Sequence, residues 1–179
     1  TTAHGLGSNQ TWGAYADGAL VYVATANGLA ISANGGASFV NRTTANGLGH
    51  NDVRGVHALG STIYAATLGG LAISTDGGVT FTNKTTVAGL GHNSVKGVFA
   101  NGSTVYAATA GGLAISTDGG AAFSNRTTAN GLGSNDVNGV AVNGSAVYVA
   151  TTAGLSISTD GGATFSNRTT ANGLGSNLV

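Results

Sequence analysis

The chain has 179 residues, six basic and six acidic side chains, zero formal net charge, and neither Cys nor Pro. The cations are scattered, which argues against a nucleic-acid partner, and no run of about 18 apolar residues exists to cross a membrane. The lack of Cys excludes disulfides and thiolate metal sites.

The sequence is a 42-residue unit written four times without a gap, at 1–42, 43–84, 85–126 and 127–168, with the opening of a fifth copy at 169–179. A period of this length marks one supersecondary unit that must stack on its neighbours to bury its apolar faces. In the fourth copy Asn138–Val142 alternates weakly and ends at the tight-turn pair Asn143-Gly144. Ala146–Thr152 is β-branched and aromatic, as a strand requires. Ala153-Gly154 turns, Leu155–Thr159 alternates as a short third strand, Asp160-Gly161-Gly162 turns again, and Ala163–Arg168 is the fourth strand. Thr169–Asn177 leads on to the next copy, and no segment has a helical period.

Four short antiparallel strands in about 40 residues make the blade of a β-propeller. The expected fold is all-β: four four-stranded blades plus a partial fifth repeat serving as a linker. Apolar groups on both faces, such as Val147 and Val149 against Tyr148 and Ala150, suit a sheet held between two other blades. The period-42 set Tyr22, Tyr64, Tyr106 and Tyr148 is expected in the core. A β-solenoid is the rival, with shorter coils and fewer hairpin turns.

The segment Ser74-Thr-Asp76-Gly-Gly-Val-Thr80-Phe81 resembles the Asp-box of sialidase-type (BNR) propellers. It recurs around Asp118, with Ala122 in the Thr place, around Asp160, and more loosely as Ser32-Ala-Asn34 in copy one. The linker Gly131-Leu132…Asn135…Val137 is similar to repeats of two-component-regulator propellers. The resemblance implies a turn between third and fourth strands, with Asp76, Asp118 and Asp160 in structural roles. Sialidase chemistry, by the same resemblance, needs an arginine triad, a Tyr nucleophile with a Glu partner, and an acid/base Asp. The chain has no Glu, and Arg42, Lys84, Arg126 and Arg168 share one repeat position, so they lie around a rim instead of converging. Catalysis, a cofactor and a metal are therefore not expected. His50 and His92 share a linker position and are the one pair considered for a metal.

Most positions are nearly identical between copies, so the divergent ones stand out. They are Gln10/Asp52/Ser94/Asp136, Trp12/Arg54/Lys96/Asn138 and Tyr15/His57/Phe99/Ala141, all on or beside the innermost strand. A constant scaffold with diverse aromatic, basic and amide residues at one mouth is how a recognition surface looks. Trp12 and Tyr15 suit stacking on a carbohydrate or peptide. The alternative is drift at tolerant positions.

A surface of Asn, Thr, Ser and Gly suggests an extracellular or cell-surface setting, and the absence of Met even at position 1 suggests a processed or excised chain. Sequons begin at Asn9, Asn41, Asn83, Asn101, Asn125, Asn143 and Asn167, open to glycosylation where a source has the machinery. Four blades as an open arc would expose an apolar face at each end, so self-association into a ring or polymer is expected. The reading is a non-enzymatic propeller that binds glycan or protein. The alternative is a repeat subunit that assembles into a ring or surface filament.

Overall fold

The structure, a computed structural model, describes residues 1–179. Sixteen strands form four antiparallel sheets, one per copy, each in simple sequential order. The first holds β1 (Thr11–Asp17), β2 (Leu20–Thr25), β3 (Gly28–Ser32) and β4 (Val40–Arg42). The second holds β5 (Val53–Leu59), β6 (Thr62–Thr67), β7 (Gly70–Ser74) and β8 (Thr82–Lys84). The third holds β9 (Val95–Asn101), β10 (Thr104–Thr109), β11 (Gly112–Ser116) and β12 (Ser124–Arg126). The fourth holds β13 (Val137–Asn143), β14 (Ala146–Thr151), β15 (Gly154–Ser158) and β16 (Ser166–Arg168). The only helical residues are one-turn 3₁₀ segments in the linkers, such as Thr44–Asn46, capped by Thr43.

The fourth strand is shorter than the sequence suggests. The carboxylate of Asp160 accepts from the N–H groups of Ala163 (3.0 Å) and Thr164 (3.0 Å) and from the hydroxyls of Ser158 and Thr164 (both 2.6 Å). These N–H groups are therefore held by the turn and cannot join a ladder. Asp76 repeats the pattern, and Asp118 repeats it without the Thr hydroxyl. Asn34 reproduces it in copy one, accepting through Oδ1 from Ser32 and Ser38 and donating through Nδ2 to the Ser38 hydroxyl. Hydrogen bonds from Thr80 and Ser74 hold the Asp76 carboxyl far below the usual carboxylate range, and Ser158 and Thr164 do the same for Asp160.

Successive sheets stack through three apolar cores. Tyr22, Ala24 and Leu29 of the first meet Leu48, Ile63, Ala65 and Phe81 of the second, and the same positions repeat twice more. The inner strands run side by side, β1 with β5, β5 with β9 and β9 with β13, whereas no comparable packing joins β13 to β1. The four sheets thus form an arc. Tyr22, Tyr64 and Tyr106 are 2%, 3% and 6% exposed, as expected of core residues, but Tyr148 is 39% exposed because no sheet covers that face.

Each linker is locked to the sheet that follows it. Phe81 N–H donates to the Asn46 carbonyl (2.8 Å), and Phe123, Phe165 and Phe39 donate to Ala88, Asn130 and His4. Gly47, at φ 95°, sits so close that an added Cβ would lie 2.0 Å from the Phe81 carbonyl oxygen. No side chain fits there.

Candidate functional site on the inner strands

The pairing of the inner strand with its neighbour slips once in every sheet, at the same place. Thr11 pairs with Thr25 and Gly13 with Ala24, which leaves Trp12 as the extra residue of a β-bulge. Val53 and Gly55 flank Arg54 likewise, Val95 and Gly97 flank Lys96, and Val137 and Gly139 flank Asn138. A bulged residue is freed from the ladder and its side chain is re-aimed. Trp12, Arg54, Lys96 and Asn138, one of the positions that carries a different side chain in every copy, are therefore the residues that the backbone releases. The glycine that follows permits close approach of the inner strands: a Cβ on Gly55 would lie 3.4 Å from the Gly97 Cα.

The four bulged residues form a row of two contacting pairs, Trp12 with Arg54 and Lys96 with Asn138. The Arg54 guanidinium lies 4.2 Å from the Trp12 ring centre, within cation–π range, and pairs with Asp52 at 2.8 Å. Lys96 Nζ donates to Asp136 (2.5 Å) and to Asn138 Oδ1 (3.0 Å). Asn138 Nδ2 donates in turn to the Val179 carbonyl. Two cations meet two carboxylates, so the row is neutral as a whole. A groove of about 340 Å³ opens against it, lined by Trp12, Arg54, Leu68, Ser94 and Lys96.

In the second set of divergent positions Tyr15, His57 and Phe99 are part-buried and Ala141 is exposed. His57 packs between Tyr15 (4.7 Å) and Phe99 (4.9 Å), its ring tilted by 50° and 43° to theirs. Tyr15 and Phe99 also pack against the cores between sheets. Burial lowers the His57 pKa below its ordinary 6.5, and its Nδ1 is enclosed without a partner. These three residues seal the inner edge of the arc.

The divergent residues Asp52, Ser94 and Asp136 keep a constant backbone duty, since their carbonyls accept from Leu68, Ala110 and Thr152 in the β2–β3-type turn of their own sheet. Their side chains are free to differ. Leu68 escaped the sequence reading. Its signal was present, because the copies read Ala26, Leu68, Ala110 and Thr152 there.

Other expectations fall elsewhere. His50 and His92 each accept the N–H two residues on, from Asp52 and Ser94 (both 2.9 Å), so each serves its own linker turn. No group of three His or Asp side chains assembles to hold a metal. Arg42 and Arg126 reach across to the next sheet, donating through Nε to Gly78 (2.6 Å) and Gly162 (3.0 Å) carbonyls. Four of the seven sequon asparagines have amides already used: Asn41, Asn83, Asn125 and Asn167 donate to the carbonyls of Asn27, Gly69, Gly111 and Ala153 at 2.8–2.9 Å. A glycan on those nitrogens would leave each a single N–H for these bonds. Asn9 Oδ1 caps the Thr2 N–H, while Asn101 and Asn143 lie exposed at hairpin tips.

No protein-family model and no curated protein matches the chain. Solved structures do. An ancestral GH74 enzyme is 25% identical, with a TM-score of 0.72 over 93% of this chain and 25% of its own. The extracellular domain assigned to a hybrid two component system of B. thetaiotaomicron is 21% identical, with a TM-score of 0.73 over 90% of this chain and 24% of its own. The protein YCF48, solved bound to a D1 peptide, is 16% identical, with a TM-score of 0.65 over 88% of this chain and 54% of its own. The chain spans about a quarter of the length of the first two. Together with the four sheets, these likenesses establish an all-β propeller fold.

Proposed function

We propose that the chain is a non-enzymatic recognition module of the Asp-box propeller class that takes a ligand on the row Trp12–Arg54–Lys96–Asn138. One observation carries this: the residue released by the bulge is, in all four blades, a residue that differs between copies. Drift explains variation, but it does not explain why variation and bulge coincide beside a groove. The Asp-box assignment is supported by the carboxylate turns of Asp76, Asp118 and Asp160, whose hydrogen bonds give them structural roles.

The row is charge-compensated, exposes an aromatic edge and offers amide and ammonium donors. Such a surface suits a neutral hydroxylated ligand, a glycan, ahead of an anionic polymer. A peptide is the other class it fits, and a distant relative in fold, YCF48, was solved with one. An extracellular setting is supported by the B. thetaiotaomicron domain and by the Asn- and Thr-rich surface. Trp12 is the single tryptophan of the chain, so its fluorescence reports on this site alone. Titration with a neutral oligosaccharide panel, cellohexaose included, and with short extended peptides tests the proposal. A saturable emission change that disappears in Lys96→Ala supports it. Unchanged emission throughout, with the fold intact, refutes it.

A further inference from the structure

The chain makes one apolar joint three times, and each end of the arc carries one uncovered half of it. On the fourth blade Tyr148, Ala150, Leu155 and Ile157 occupy the positions that Tyr22, Ala24, Leu29 and Ile31 use to cover the second blade. On the first blade Leu6, Val21, Val23 and Phe39 are part-exposed, whereas their equivalents Leu48, Ile63, Ala65 and Phe81 are buried in the joint. The polar clasp is unmade as well. Arg42 and Arg126 donate to glycine carbonyls of the following blade, whereas Arg168 reaches only the carbonyl of Asn167, at 3.3 Å. The repeat-equivalent acceptor for Arg168 is Gly36 of a second copy.

We infer that the 179-residue chain joins head to tail with a second copy of itself, the fourth blade of one against the first blade of the next. The joint contains a conflict that decides its details. Thr169–Val179 lies on the fourth blade, tied by Val179 N–H to the Thr151 carbonyl at 3.1 Å. In the three internal joints that place is taken by the linker that enters the next blade. A second copy brings its own version, Thr1–Thr11, to the same place, and one of the two must leave.

The C-terminal version is the better linker. Thr169 and Asn172 form a reciprocal capping box, as Thr43 with Asn46 and Thr127 with Asn130 do. Thr1 has no side-chain cap bond to the backbone, and His4 stands in the Asn place. Val179 matches Val53, Val95 and Val137, all 0% exposed in their joints, where the N-terminal version has Thr11. Thr169–Val179 therefore stays, displaces Thr1–Thr11 of the second copy, and takes over the Phe39 N–H that His4 now accepts.

Paired substitutions separate the association from the choice of linker. Light scattering over a wide concentration range should show the mass rising above 17.2 kDa, and Tyr148→Lys, at an exposed site, should abolish the rise. Exchanging the key residues of the C-terminal linker, Asn172→His with Val179→Thr, should weaken association by about tenfold, the loss of one cap and one buried methyl. Improving the competitor, His4→Asn with Thr11→Val, should weaken it too, because the displaced segment then holds its own blade harder. If that second pair strengthens association and the first leaves it unchanged, the N-terminal linker makes the joint and the exchange is overturned. A mass fixed at 17.2 kDa at every concentration overturns the joint itself.

Discussion

Arg54 lies over the ring of Trp12 at 4.2 Å, and the two are one repeat position in adjacent blades, 42 residues apart. The bulge in β1 and its counterpart in β5 turn both side chains out of their pleats, and the glycines behind them let the strands close up. The pair contributes about 0.5–1 kcal/mol, as exposed cation–π contacts do. Arg54→Ala should thus cost less than about 1 kcal/mol of stability while shifting Trp12 emission to longer wavelength, as measured by fluorescence and urea unfolding. A loss several times larger would mean that the row is structural.

The linkers should be far less tolerant than the hairpin tips. Gly47→Ala combines a left-handed backbone (φ 95°) with a Cβ 2.0 Å from the Phe81 oxygen, and should destabilise by more than about 2 kcal/mol. Gly102 has a similar sign of φ (57°) but open space around it, so Gly102→Ala should cost only about 1 kcal/mol. Unfolding midpoints of the two variants check the contrast.

One buried serine marks a correctable defect in the other blades. Ser156 Oγ donates to Asn167 Oδ1 (3.1 Å) and accepts from Gly133 N–H (3.0 Å). Ala72 and Ala114 stand at its position, and there Asn83 Oδ1 and Asn125 Oδ1 are buried without partners. Ala72→Ser should stabilise by about 1 kcal/mol, and Ser156→Ala should destabilise by about 1–2 kcal/mol. Denaturant titration decides, and opposite signs would refute the hydrogen-bond account.

His57 should make stability fall in mild acid. Its folded pKa lies below the ordinary 6.5 because burial penalises the charged ring. Above pH 6.5 the ring is neutral folded and unfolded alike, so it adds no slope. As pH drops below that value the unfolded chain takes up the proton first, and stability is lost until the folded ring is protonated too. His57→Phe, keeping the ring contacts with Tyr15 and Phe99, should flatten the difference in urea midpoint between pH 7.5 and pH 5.5. An unchanged difference would place its origin elsewhere.

The fold was legible because its signals are local and repeated. Asn143-Gly144 sets a hairpin, Ala146–Thr151 is β-branched, and Asp160-Gly-Gly holds a turn through its own carboxylate. The limits of the fourth strand were not legible, since the turn's hold on Ala163 and Thr164 depends on three-dimensional geometry. The divergent positions could be read from the sequence, but the division among them could not. Trp12 lies against the groove and Tyr15 packs on the core between sheets, and the sequence does not show that Trp12 falls outside the regular pairing at the register slip between Thr11 and Gly13. Nor does any residue type announce a bulge, apart from the glycine that follows it in all four copies.

The most direct test of the proposed recognition surface is Trp12 emission during titration with neutral oligosaccharides and short peptides. The account predicts a saturable change with at least one of these classes, abolished by Lys96→Ala without loss of fold. Emission that stays constant with every probe up to millimolar concentration, in a folded protein, would contradict it.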